Sequence, residues 1–492
     1  MKPLPRSAVI VGCCSMLVLT GCAVGPDFHT PAAPDTQTYT RGTLTASTTT
    51  ASSTGGLAQS FPTVDHALRA WWTQFQSDEL NQLVGEALEY SPTLAQARAK
   101  LIEARENYNA QAGATLFPSV DAKFSAQRQK VDLASFGISN VPTPAPFTLY
   151  NASVSVSYVL DVFGGNRRAL EATMAQVDYQ AFELEAARLA LAGNVVATVI
   201  RRASVSRQIE LTQQLVDDQA QQLAIVERRY AAGGVSQFDV HSQRTLLEQT
   251  RATLPPLATQ LAQADHQLAI LLGVPPSQAQ SNNIKLDELH LPDTVPLTLP
   301  STLARERPDI RASEALLHQA SANVGVATAN LYPQFSISAG AGSERTRIQD
   351  VLSGLNIWNI GGNLTQPIFH GGELHARKRA AVAAYDAALA DYRQIVLQAL
   401  QQVADSLRAL ENDARELSAR DEAAQQAQVS VTIAQSQYTV GGISQLALID
   451  AQRQVLQTAL DRTRAQADRL ADTAALFQAL GGEPLPIGDD RR

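Results

Sequence analysis

Polar and apolar residues alternate strictly in four short stretches of this chain. Val120, Ala122, Phe124 and Ala126 are interleaved with Asp121, Lys123, Ser125 and Gln127. Tyr150, Ala152, Val154, Val156, Tyr158 and Leu160 alternate with Asn151, Ser153, Ser155, Ser157 and Val159. Phe335, Ile337 and Ala339 alternate with Gln334, Ser336 and Ser338, and Trp358, Ile360 and Leu364 with Asn359, Gly361, Asn363 and Thr365. A period of two puts successive side chains on opposite faces of a strand. Strands of about ten residues with one apolar and one Ser/Asn/Thr face fit a membrane-spanning barrel. An antiparallel sheet over a soluble core would alternate in the same way.

Around these strands the pattern is helical. A short helix is predicted over Asp78 to Glu89, and a longer one from Thr93 to Ala114, begun by Pro92 and stopped at Phe117-Pro118. No proline interrupts Arg167 to Tyr230 or Leu374 to Tyr438. Each stretch predicts a helix of about 65 residues, hence about 100 Å. Leu400, Val403, Leu407, Leu410, Ala414 and Leu417 follow an a/d spacing, and Ile209, Val216, Leu223 and Tyr230 recur every seven residues. Such seams pack helix on helix. Return helices are predicted from Ser236 to Leu272 and from Ser444 to Leu480. Pro255-Pro256 should kink the first, and no such pair stands in the second.

The same unit occurs twice. Ser91-Pro92-Thr93-Leu94 matches Arg307-Pro308-Asp309-Ile310, and Leu116-Phe117-Pro118 matches Leu331-Tyr332-Pro333. Gly164-Gly165 matches Gly371-Gly372, and Tyr230-Ala231-Ala232-Gly233-Gly234-Val235-Ser236-Gln237 matches Tyr438-Thr439-Val440-Gly441-Gly442-Ile443-Ser444-Gln445. A period of about 210 residues is too long for a solenoid and marks two copies of one large supersecondary unit. The domain plan is a signal segment (1–21), a tether and equatorial segment (22–76), repeat one (77–283), an equatorial linker (284–306), repeat two (307–482) and a tail (483–492). Residues 30 to 56, rich in Ser, Thr, Pro and Gly, read as an extended tether rather than packed structure.

Four strands cannot close a barrel, since small filled barrels need about eight, and open strand edges are not tolerated in lipid. The chain must therefore combine its strands with those of further copies. Three copies would supply twelve strands, while two would give a barrel too narrow for a duct.

Charge and cysteine usage refine this picture. The formal net charge is −8, which disfavours nucleic acid as a partner. Lys2 and Arg6 precede an apolar run from Val9 to Leu19, too short to span a bilayer, and Leu19-Thr20-Gly21-Cys22 follows. This resembles the lipobox of bacterial lipoproteins, in which the signal is removed before the cysteine and the thiol is acylated. Cys13 and Cys14 lie within the signal, so only Cys22 would survive and no disulfide could form within one mature chain. Ala23 after the cysteine, rather than aspartate, implies export to the outer membrane by the same resemblance. Any crossing beyond the signal must be by strands, because no later apolar run is long enough.

Taken with Trp71-Trp72, Phe75, Asp78, Leu80 and Leu83, the start Cys22-Ala23-Val24-Gly25-Pro26-Asp27-Phe28 and the two Tyr-x-x-Gly turns, the chain resembles the TolC-like outer membrane factors. The likeness is to their lipoprotein branch serving resistance-nodulation-division pumps, and it covers nearly the whole mature chain. It implies a mixed α and transmembrane β fold: a trimeric channel with a 12-stranded β-barrel, four strands per chain, and a long periplasmic α-helical barrel. It further implies that Gly233, Gly234, Ser236, Gly441, Gly442 and Ser444 form periplasmic tips where an adaptor protein docks. Asp450 and Leu446 match the aperture residues of the family, and three Asp450 carboxylates would ring the pore and favour cations. Asp239 is a candidate tip partner. Ile443 and Ala447 stand where some relatives have Arg and Asp, so the closing network here should be differently built.

No G-x-S-x-G, P-loop or H-E-x-x-H motif is present, so no enzyme is expected. His370 and His375 do not make a metal site, and no cofactor is expected beyond a covalent lipid on Cys22. Met174 is the one methionine past the signal, which disfavours a thioether path for soft metals. The implied role is the exit duct of a tripartite efflux system for drugs or other small toxic compounds. An inner-membrane transporter would supply the energy through a periplasmic adaptor, and the duct itself would be in contact with outer-membrane lipid. The alternatives are a duct for secreted polypeptides or metal cations, or a structural coiled-coil lipoprotein.

Overall fold

The computed structural model describes residues 23–42, 45, 47–132, 137, 144–278 and 282–482. Cys22, the signal segment and the tail 483–492 lie outside the described residues. The helices, in chain order, are α1 (Asp78–Tyr90), α2 (Pro92–Leu116), α3 (Gly165–Ala231), α4 (Gln237–Arg251), α5 (Leu254–Leu271), α6 (Pro300–Glu306), α7 (Pro308–Ala329), α8 (Glu373–Thr439) and α9 (Gln445–Ala479). The strands are β1 (Ser119–Gln129), β2 (Phe147–Leu160), β3 (Gln334–Arg345) and β4 (Ile357–Thr365). Among the described residues the chain divides into two compact units. One takes residues 23–30, 101–180 and 313–392, the other 31–100, 181–312 and 393–482.

The first unit carries the whole sheet, an antiparallel meander in the order β1-β2-β3-β4. Its register brings like side chains together in rows. Val120, Val156, Ala339 and Ile360 are level, as are Ala122, Val154, Ala341 and Trp358. Ser119, Ser157, Ser338 and Gly361 form a row on the other face, and the Ser119 and Ser157 hydroxyls lie 2.8 Å apart. One face is thus apolar across all four strands, and a one-residue slip in any strand would break it. Val120, Phe124, Trp358, Ile360 and Leu364 on that face are exposed in the single chain. Among the described residues, no partner pairs the outer edges of β1 and β4.

Residues 24–28 are packed onto this unit. Val24 N–H donates to the Phe163 carbonyl at 3.1 Å. Gly25 has φ +99°, and a Cβ on it would stand 2.5 Å from Gly325 Cα. Asp27 pairs with Arg168 at 2.6 Å, Arg168 with Glu171 at 2.7 Å, and Glu171 contacts His318 Nε2 at 2.8 Å. The Arg168 guanidinium holds the Asp27 carboxyl below the usual carboxylate range. Phe28 stacks on the His318 ring with centroids 4.4 Å apart. These contacts give a physical reason for Gly, Asp and Phe in the motif Gly25-Pro26-Asp27-Phe28.

In the second unit Ser77 caps α1 by accepting from Leu80 N–H at 3.3 Å, and Leu80, Val84 and Ala87 bury one face. Trp71 and Phe75 are buried, and Trp71 stacks on Phe477 at 5.7 Å. The stretch predicted as an unpacked tether is held down instead. The fully buried Arg469 donates to the carbonyls of Gly55 (3.0 Å) and Leu57 (2.6 Å) and to Thr48 Oγ1 (3.0 Å). Gln59 reaches Thr473 Oγ1 at 3.1 Å, and Ser60 and Thr63 bridge to Thr294 and Leu297. A segment without helix or strand can pack when side chains satisfy its backbone, and composition alone does not reveal that.

The long helices run 67 residues each. In α8 the predicted seam is the buried stripe: Val403, Leu407, Leu410, Ala414 and Leu417 are fully buried, while Ala399 rather than Leu400 continues it. In α3 the predicted seam is only partly the buried one: Val216 is buried, Ile209 and Leu223 are half-buried and Tyr230 is exposed. From Gln208 to the turn the buried positions are Gln208, Thr212, Val216, Gln219 and Val226, a mixed stripe, whereas earlier in the helix Val195, Val196, Val199, Ile200 and Ala203 are buried. The proline pair acts as expected, separating α4 from α5 with Pro255 and Pro256 in the first turn of α5, whereas α9 runs unbroken for 35 residues.

Candidate functional site

Both long helices end in the same turn. Gly233 N–H donates to the Tyr230 carbonyl at 2.9 Å and Gly234 N–H to Arg229 at 2.8 Å. Gly441 N–H donates to Tyr438 at 3.2 Å and Gly442 N–H to Gln437 at 2.8 Å. This pair of bonds is the Schellman ending, and it requires a left-handed residue at its centre. Gly233 and Gly441, at φ +77° and +78°, take that place. The second glycine of each pair is not left-handed. A Cβ on Gly442 would stand 3.3 Å from the Gln437 carbonyl oxygen. The two glycines of each motif are therefore there for different reasons.

A serine then opens each return helix. Ser236 Oγ accepts from Asp239 N–H at 3.2 Å, and the Asp239 carboxylate accepts from Ser236 N–H at 2.9 Å and from its hydroxyl at 2.7 Å. This is a complete capping box. Ser444 Oγ accepts from Ala447 N–H at 3.2 Å, and alanine returns nothing. The structure thus gives Asp239 a partner in its own turn and does not link it to Asp450.

On α9, Gln445, Leu448, Ile449 and Gln452 face inward. Leu446 and Asp450, four residues apart, fall together on the opposite, exposed face. Arg453 approaches Asp450 at 4.0 Å and also donates to Gln249 of α4 at 3.1 Å. The inner faces of α4 and α9 meet through Gln445 Nε2, which donates to Gln243 Oε1 at 2.7 Å. Ala434, Tyr438 and Leu448 form a small core beside them, and Arg229 lies over the Tyr438 ring at 5.0 Å. The glutamine pair and Arg453 were missed in the sequence. Glutamine is abundant here and usually solvent-facing, so only its place on the buried stripe could have singled it out.

Among the described residues no group of three His, Cys, Asp or Glu side chains could hold a metal ion, and no helix is long and apolar enough to cross a membrane. The turns therefore offer a shaped, exposed surface with a carboxylate and a leucine on one helix face.

Known proteins are similar to this chain in sequence and fold. The model for the outer membrane efflux protein family matches residues 83–274 and 299–482. The pyoverdine export outer membrane protein OpmQ of Pseudomonas putida is 30% identical over 434 residues, 88% of this chain and 90% of its own. The toluene efflux pump outer membrane protein TtgI of Pseudomonas putida is 30% identical over 477 residues, 95% of this chain and 97% of its own. The solved outer-membrane channel OprN is 28% identical and covers 94% of this chain and 99% of its own, with a TM-score of 0.82. The chain belongs to the outer membrane efflux protein family and is an efflux duct of the outer membrane with a TolC-like fold.

Proposed function

We propose that three copies of this chain assemble around one axis, close a twelve-stranded barrel and continue it as a helical conduit. The observation that carries this is the sheet: four strands with rows of like side chains and two open edges. Such edges must be paired in lipid. In this reading the chain performs no catalysis. Cys22 carries a lipid, and the outer end of a tripartite system is reached through a periplasmic adaptor from an inner-membrane resistance-nodulation-division transporter. The adaptor docks at Gly233, Gly234, Ser236, Gly441, Gly442 and Ser444. Leu446 and Asp450 line the aperture, where three carboxylates favour cations and Arg453 offsets part of their charge.

The cargo is drugs or other small toxic compounds. OpmQ and TtgI are equally similar to this chain, yet one is named for pyoverdine and the other for toluene. That fits a conduit that does not select its cargo by a dedicated pocket. The test is the native mass of the detergent-extracted protein, followed by conductance in planar bilayers. A trimer whose cation preference falls with Asp450→Ala supports the reading. A monomer removes the barrel, and unchanged selectivity removes Asp450 from the aperture.

A further inference from the structure

Two exposed apolar pairs flank the open edges of the sheet, both at the end where the strands meet the helices. Leu116 and Phe117, 53% and 66% exposed, lie just before β1. Ile368 and Phe369, 94% and 86% exposed, lie just after β4. Exposure this large at two adjacent apolar side chains beside each unpaired edge marks surfaces that something covers. A cleft of about 460 Å³ lies alongside the second pair, lined by the apolar Leu331, Pro367, Ile368, Phe369 and Leu374 and by the polar His370, Glu373 and His375.

The topology says what covers it. In the meander, β1 and β4 run in opposite directions, so β4 of one copy can pair antiparallel with β1 of the next. The even-numbered residues of β1 and β4 share the apolar face, since Val120 and Ala122 are level with Ile360 and Trp358. Paired residues must lie on the same face, so an even residue must meet an even residue. Two registers satisfy this while pairing every residue of β4 with one of β1. In one, Leu364 meets Val120 and the chain beyond the strand brings Ile368 level with Leu116. In the other, Leu364 meets Ala122 and Phe369 comes level with Phe117.

Resting on the trimeric reading above, we propose that Ile368 and Phe369 of each copy pack against Leu116 and Phe117 of the next copy. They form an apolar clasp below each strand seam. The clasp buries four large side chains per seam and covers the point where strand pairing ends and the two chains separate into their helices. Phe117 of the adjoining copy is the side chain suited to the cleft beside Ile368.

The test is disulfide trapping in the full-length protein, extracted from membranes after mild oxidation. Two double variants are made, Leu116→Cys with Ile368→Cys and Phe117→Cys with Phe369→Cys. A control joins the strands themselves, Leu364→Cys with Val120→Cys or with Ala122→Cys. The clasp predicts a covalent trimer from at least one clasp pair, and none from any single variant. Trapping by a strand pair but by neither clasp pair overturns the clasp and leaves the trimeric barrel standing. Absence of trapping in every pair, with a monomeric native mass, overturns both. Tryptophan at position 369 gives an independent readout, because strong quenching of Phe369→Trp by brominated lipid would place lipid, not a second copy, on this surface.

Discussion

The turn after α3 and the turn after α8 are built alike, yet the helices that run into and out of them differ in nearly everything else. Both turns close with a left-handed glycine and a capping serine. On the approach to the turns the stripe that α8 buries is mostly leucine, valine and alanine, whereas α3 mixes Gln208, Thr212 and Gln219 with Val216 and Val226. The return path is broken in the first copy and continuous in the second. When Tyr230 is aligned with Tyr438, Arg469 falls on Leu261, Asp413 on Val205, Asp472 on Ala264 and Asp450 on Ser242. The second copy thus carries charge where the first is apolar or neutral. The difference teaches that a few backbone-determining positions suffice to keep a hairpin of long helices, and that the faces of those helices are then free to take separate tasks.

The strongest way to break the comparison is at Arg469. Its three bonds hold Thr48, Gly55 and Leu57, and Arg469→Met would leave buried acceptors unmet. The expected loss is about 3 kcal/mol in urea unfolding of the purified protein, against a much smaller loss for Leu261→Met. A second test uses pH. Burial, with Asp472, Asp468 and Glu416 nearby, raises the Asp413 carboxyl to about 7. The folded state then holds more protons than the unfolded one between about pH 4 and about 7, so stability falls as pH rises through that window. Asp413→Asn should flatten that slope and raise the melting temperature at pH 8. An unchanged slope would show that another group titrates.

Smaller effects separate the glycines. Gly233→Ala and Gly441→Ala should each cost about 1–2 kcal/mol for a left-handed alanine. Gly442→Ala should cost about 0.5 kcal/mol or less, since only a close approach to Gln437 is at stake. Equal losses at both glycines of a pair would refute this division. The smallest change would sharpen the comparison by erasing part of it. Ala447→Asp should give the second turn the box that Asp239 gives the first, adding about 0.5 kcal/mol. Slower amide exchange at Ser444 would report it.

Much of the fold was legible because periodicity is a local signal. The alternation at Val120–Gln127 and Tyr150–Leu160 needed no tertiary knowledge, and the duplicated Gly-Gly-x-Ser-Gln announced both turns. Pro255-Pro256 likewise acts through its own backbone. Three features were not legible, because each depends on what a distant segment brings. The buried Gln208, Thr212 and Gln219 of α3 look like part of a solvent face until their neighbours are in place. Residues 30 to 56 look like a tether until Arg469, far along the chain, meets Thr48 and the Gly55 carbonyl. Asp239, a candidate tip partner by its place in the turn, also closes a capping box with Ser236, which the sequence reading did not bring out. At the candidate site, the common face of Leu446 and Asp450 follows from a four-residue spacing, but the Arg453 link to Gln249 does not.

The contact between Gly25 and Gly325 has a further consequence. Two stretches of main chain, far apart in sequence, touch there with no side chain between them. Such a junction has no slack: neither strand of backbone can slide past the other without a gap or a collision. Gly25 and the residues beside it are thereby registered against α7 like a mark on a ruler. If Cys22 carries the proposed lipid, the short link from it to Val24 would tether that lipid close to the unit that carries the sheet.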